Sequence, residues 1–167
     1  MAADDTLYTF DPACNRPPAS AHATLDTRND RIVLDFDDST NESAIFAGIL
    51  PANYAGGGLT LDLHIAMTSA TSGNVLMEAA IERINAAGQD LDSDGFAAAQ
   101  ASSATAVPGT TGLIAIVTIT FTDGAQMDSL AAGEAFRIKV TRDATDASDT
   151  AAGDLELLAG ELSETSA

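Results

Sequence analysis

The sequence has 167 residues, enough for one domain that buries roughly 70% of its unfolded surface without disulfide or metal support. Its 25 acidic residues against 7 basic ones leave a net charge of -18, a surface that repels nucleic acid and anionic membranes, so neither is expected as a direct partner. Cys14 is the only cysteine, which excludes an intrachain disulfide. The first ten residues lack the basic and apolar regions of a secretory leader, and no apolar run approaches the roughly 18 residues of a membrane span. A soluble protein made in the cytoplasm is expected.

Residues 1–22 are polar and punctuated by Pro12, Pro17 and Pro18, which remove backbone donors and favour extended backbone. We read them as an extended arm ahead of a domain spanning 23–167. Residues 23–27 and 31–36 flank Arg28-Asn29-Asp30 as the two strands of a hairpin, with Ile32, Leu34 and Phe36 sharing a face. A third strand covers 42–50 around Ala44, Phe46 and Ile49, and Pro51 stops it.

Residues 59–68 organise the chain. Leu59, Leu61, Leu63, Ile65 and Met67 alternate without a break with Thr60, Asp62, His64, Ala66 and Thr68, the period-two pattern of a half-buried strand. After a turn at 69–73, residues 74–85 suit a helix by composition. Val75, Met77, Ala79 and Ile81 also alternate, and a short turn after a long strand usually returns as its antiparallel neighbour. The strand reading is preferred and the helix is the alternative.

Residues 88–95 form an acidic loop and 96–106 a weaker strand. Residues 113–122 form a second long strand, apolar on both faces in its first half, which places it deep and in the middle of a sheet. Asp123 caps a short helical turn reaching Leu130. Phe136, Ile138 and Val140 alternate with Arg137, Lys139 and Thr141, and 154–162 close the sheet with Leu155 and Leu157 inward. The expected fold is all-β, a jelly-roll-like antiparallel sandwich of about eight strands with one short helical turn.

Asp90, Asp92 and Asp94, followed by Gly95, open like an oxygen-rich calcium loop. The bidentate carboxylate that such a loop needs at its twelfth position is replaced by Ala101. These three residues are weak metal candidates, and a solvated acidic turn is the preferred reading. Asp143, Asp146 and Asp149 form a second acidic run, read as a solvated face. Asp62 and His64 lie on one strand face about 7 Å apart, too loose for a hydrogen-bonded dyad. No serine stands in a nucleophile motif, and the glycines at 56–58 lack a phosphate-loop lysine. No catalytic residue and no cofactor is expected.

Two stretches carry a resemblance. Asn53-Tyr54-Ala55-Gly56-Gly57-Gly58-Leu59-Thr60, running on to Ser69-Ala70-Thr71-Ser72-Gly73, is the first. Phe121-Thr122-Asp123-Gly124-Ala125-Gln126-Met127-Asp128-Ser129-Leu130-Ala131-Ala132-Gly133, followed by Phe136-Arg137-Ile138-Lys139-Val140-Thr141-Arg142-Asp143, is the second. Between residues 53 and 143 the chain resembles a group of tailed-bacteriophage virion proteins. The resemblance implies a jelly-roll-like sandwich without enzymatic activity, placed on the virion surface as a capsid decoration (cement) protein that binds and stabilises the major capsid protein shell. It further implies a homotrimer at local threefold positions, with the 1–22 arm as an added contact. A tail or fibre-associated adhesion module is the alternative role.

Overall fold

The computed structural model describes residues 5–86 and 88–165. Twelve strands run through them: β1 (Thr6–Phe10), β2 (Thr24–Arg28), β3 (Arg31–Phe36), β4 (Glu42–Ile49), β5 (Leu59–Met67), β6 (Asn74–Val75), β7 (Met77–Ile84), β8 (Gln100–Ala101), β9 (Thr105–Ala106), β10 (Ala115–Phe121), β11 (Ala135–Arg142) and β12 (Leu155–Glu164). All pair antiparallel. The first sheet runs β10-β5-β12-β3-β2, the second β4-β11-β7-β8, and β6 and β9 form a separate two-stranded ribbon. The result is an all-β, jelly-roll-like sandwich. No helix among the described residues is long and apolar enough to cross a membrane.

Period-two patterning decides which face each strand buries. Leu59, Leu61, Leu63, Ile65 and Met67 of β5 all point into the core, as do Val117, Ile119 and Phe121 of β10. Phe136, Ile138 and Val140 of β11 and Met77, Ala79 and Ile81 of β7 meet them from the second sheet. The 74–85 stretch therefore forms strands, not a helix: β6 pairs with β9 and β7 pairs along its whole length with β11, and that pairing outweighs its helical composition.

β12 is the centre of the first sheet. Its full length pairs with β5, while its other edge is shared by β3 at Leu155–Leu157 and by β1 at Gly160–Ser163. The register shifts between Leu157 and Ala159, just where β12 passes from one partner to the other. One inserted residue exchanges the two faces of a strand. Leu155 and Leu157 point inward before the shift, and Leu162 points inward after it.

Five expectations are corrected. Residues 6–10 are not part of a free arm: β1 joins the first sheet and buries Leu7 and Phe10. Phe10 stacks at 5.3 Å from Phe46 and at 6.4 Å edge-on to Phe136. Gly160 makes room for it, since a Cβ there would stand 3.2 Å from the Phe10 ring. Residues 15–23 are tied down as well. The Arg16 amide donates to the Ile45 carbonyl at 2.7 Å, the Ile45 amide donates to Asn15 Oδ1 at 3.0 Å, and Ser43 exchanges backbone bonds with Ala21 and Ala23. This segment closes the outer edge of β4.

β10 lies at the edge of the first sheet, not in its middle. Leu113 and Ile114 precede the strand and are exposed, as is Ile116. Ile116 is exposed because it lies on the outward face of the sandwich, opposite the inward Val117, Ile119 and Phe121, and Leu113 and Ile114 lie ahead of the paired strand. The short turn after β10 is a 3-10 turn at Ala125–Met127 with Gly124, not Asp123, at its N-cap, and a second one occupies Pro12–Cys14. In the third strand Ile49 is exposed and Leu50 takes the core position. In the hairpin, Ile32 is exposed while Leu34 and Phe36 are buried.

Candidate interaction surface

The three candidate calcium ligands do not converge on a common point. In the 90–94 turn, Asp90 Oδ1 accepts the Asp92 amide at 3.1 Å and Asp94 Oδ2 accepts the Asp90 amide at 2.5 Å. The carboxylates thus satisfy the turn's own backbone, the usual use of aspartate in loops. The second acidic run divides. Asp149 turns inward to Arg142, whereas Asp143 accepts from Asn41 Nδ2 at 2.7 Å and Asp146 accepts the Ser148 amide. A different trio, Asp37, Asp38 and Asp154, brings one carboxylate oxygen each to within 4.8 Å of the others. Asp37 Oδ1 caps the Ser39 and Thr40 amides and Asp38 Oδ2 accepts the Gly153 amide at 2.6 Å, so this trio also closes loops. Its sequence signal is the Asp37-Asp38 pair at the end of β3.

Asp62 and His64 lie on the outward face of the first sheet, where Asp62 accepts from Thr118 Oγ1 across the β5–β10 pair. Further along this face, Arg28, Arg31, Val33, Ala66, Ile114 and Glu156 line a shallow cavity of about 300 Å³. Arg28 pairs with the buried Glu156 and donates to the Met67 carbonyl at 3.0 Å. Gly112, at φ +79°, lets the preceding loop pass over the guanidinium, because a Cβ there would meet Arg28 Nη2 at 3.0 Å. Asp35, on the same face, has its carboxyl raised from 3.8 to about 6, first by burial and then by Glu156, Asp26 and Asp154. With Glu156 already paired to Arg28, the cavity holds an internal ion pair beside an acidic cluster.

Part of the second sheet's outward face is covered by the segment that follows the acidic loop. Phe96 lies 5.0 Å from the Arg137 guanidinium and 5.0 Å from the Lys139 ammonium, a stacking that is worth about 0.5–1 kcal/mol at exposed sites. Arg137 in turn pairs with the buried Glu82.

The remaining surface feature was legible as an apolar run but not as an exposed one. Leu113, Ile114 and Ile116 are 55%, 49% and 52% exposed and are followed along the edge strand by Thr118 and Thr120. No charged residue occurs from Leu113 to Thr122. Contiguous apolar surface on a soluble domain marks an interaction site more often than scattered apolar residues do.

The fold defines the class, an antiparallel all-β sandwich. No family model matches the chain, and no curated protein matches it. Among solved structures it is similar to a CBM35 module from Cellvibrio japonicus Abf62, at 10% identity over 95% of both chains with a TM-score of 0.49. It is also similar to the C-terminal CBM6 of LamC, a marine laminarinase from Zobellia galactanivorans, at 9% identity over 98% of this chain and 97% of that one, with a TM-score of 0.45.

Proposed function

We propose that the protein is a non-enzymatic structural protein of a tailed-bacteriophage virion, a decoration protein that binds the outer surface of the major capsid protein shell as a homotrimer and stabilises it. The observation that carries this reading is the uncharged apolar strip Leu113, Ile114 and Ile116 on a domain of net charge -18. The acidic exterior keeps the free protein soluble and apart from the nucleic acid inside the shell. The strip offers the one kind of surface that gains free energy by leaving water. Three copies about a local threefold axis multiply a weak contact through effective concentration. The resemblance of residues 53–143 to virion proteins supports the same assignment.

The experiment is to mix the protein with shells that lack it, separate bound from free by sedimentation, and count copies by imaging. Saturable binding in multiples of three supports the reading. Density on the tail with bare shells would replace it with a tail or fibre-associated module, the second role that the resemblance implies.

A further inference from the structure

Two surface features of this sandwich are complementary in shape and charge. The first is the cavity of about 300 Å³ beside the β2–β3 hairpin. Val33 and Ala66 are buried at its base, and Ile114 and the half-buried Leu158 stand at its sides. Arg28 and Glu156 pair with each other there. The Arg31 guanidinium is exposed and has no ion pair or hydrogen bond among the described residues, so it is the one unpaired charge lining the cavity. The second feature is the 90–94 turn, where Leu91 is 76% exposed, more than any other large apolar side chain among the described residues. Asp90 and Asp94 bond the turn's own amides, whereas the Asp92 carboxylate accepts no hydrogen bond among the described residues. The turn thus carries an apolar knob beside a free anion, and the cavity an apolar hollow beside a free cation. β7, which leads to the turn, ends beside the start of β11 and the end of β4, and the returning chain lies on the outward face of the second sheet at Phe96. The cavity opens on the outward face of the first sheet, near the far end of the β5–β10 pair. Along β5 alone that separation is about 23 Å, at roughly 3.3 Å per residue, so the knob of one chain does not reach its own cavity.

We propose that Leu91 of one copy seats in this cavity of a second copy, with Asp92 paired to Arg31, and that the contact repeated about one axis closes the homotrimer. The inference rests on the trimeric attachment reading above and supplies its subunit contact. Knob and cavity are different surfaces, so the contact is heterologous and head-to-tail, the kind that builds rings and not isologous pairs. An apolar anchor in a pocket, with polar groups at the rim, is how an interface concentrates its binding energy. Two bodies of net charge -18 repel at long range. At about 0.15 M salt the screening length is about 8 Å, which mutes most of that repulsion and leaves the adjoining Asp92 and Arg31 acting on each other. Ile114 belongs to both the cavity and the exposed strip, and a single axis gives all three strips the same inclination to it. The ring therefore presents them to a shell together.

The test is sedimentation of the full chain at about 0.15 M salt. The parent should run as a trimer. Leu91→Ser and Arg31→Asp, both at exposed positions where the melting temperature should hold, should each raise the concentration of half-assembly by about thirtyfold or more, the effect of losing one interface anchor. Combining Arg31→Asp with Asp92→Arg should restore assembly, because the pair re-forms with its charges exchanged. A parent that stays monomeric or dimeric up to about 0.1 mM, a trimer that survives either single substitution, or a charge-exchanged variant that stays apart overturns the proposal. Parent monomers that bind shells overturn the contact and leave the attachment reading standing. Trimers that disperse on substitution but do not bind shells do the reverse.

Discussion

The guanidinium of Arg142 is wholly buried and meets the carboxylate of Asp149 in a two-pronged pair, Nε to Oδ2 at 3.1 Å and Nη2 to Oδ1 at 2.9 Å. Its remaining donors are also used. Nη1 donates to the carbonyls of Phe36 and Gly153, and Nη2 to that of Ala151. One side chain thereby joins β3, the end of β11 and the loop that leads into β12. The loop carbonyls have no helix or sheet to bond with, and the arginine satisfies them in the interior.

Removing either partner leaves a buried charge unpaired, which costs about 3–5 kcal/mol. Asp149→Ala and Arg142→Met should each lower the unfolding midpoint in urea by an amount matching that range. The double variant should lose less than the sum of the two, because neither charge is then stranded. Strict additivity in this cycle would mean that the pair is not a coupled unit.

The aromatic cluster gives a second expectation. Phe10 touches Tyr8, Phe46 and Phe136, so β1 from one sheet is packed directly on β4 and β11 of the other. Phe10→Ala should destabilise the fold by about 3–5 kcal/mol, and a chain beginning at residue 23 should melt well below the full one. Equal melting temperatures for the truncated and intact chains would show that the first 22 residues are dispensable.

What the sequence disclosed and what it hid have the same physical origin. Alternation is a local property, so β5 and β11 were legible from Leu59 to Met67 and from Phe136 to Val140. Parity alone also places Arg142 on the inner face, two residues beyond Val140. Its charge argued against that, and only the acceptors gathered from distant loops resolve the conflict. The parity change in β12 was not legible, because it depends on where β3 ends and β1 begins along a neighbouring edge. The strip at Leu113, Ile114 and Ile116 was visible as apolar on both faces. Whether such a run is doubly buried or left open depends on whether another layer covers the outward face of the sheet, a property of the tertiary arrangement. The Thr6–Phe10 strand was masked by the prolines that follow it.

Asp35 predicts a pH dependence of definite sign. Its folded value of about 6 lies above the ordinary 3.8, so the folded state holds the proton more tightly than the unfolded chain does. The favourable contribution is complete below pH 3.8 and is lost as pH rises through about 6. Above that, the carboxylate stands beside Glu156, Asp26 and Asp154 and opposes folding. Asp35→Asn should therefore melt higher than the parent at pH 8 and indistinguishably from it near pH 3.5. A gain of the same size at both pH values would trace the effect to packing and not to the proton.

The net charge of -18 sets the last expectation, a rise in thermal stability with added sodium chloride. Among the described residues only Glu82, Glu156 and Glu164 are buried acidic residues and the others are exposed or half-exposed, so much of their mutual repulsion acts through water and is open to screening. Between 0.1 M and 1 M salt the screening length falls from about 10 Å to about 3 Å, which removes repulsion beyond nearest neighbours and leaves close pairs such as Arg142–Asp149 intact. Relief of about 1 kcal/mol would raise the melting temperature of a chain this size by about 2–4 °C. Calcium chloride at matched ionic strength should give the same shift, because Asp90 and Asp94 are engaged with the backbone of their own turn. A larger, saturable calcium effect that disappears in Asp92→Ala would show that the turn can reopen into an ion site. A melting temperature that falls with sodium chloride would mean that attractive pairs outweigh the net charge.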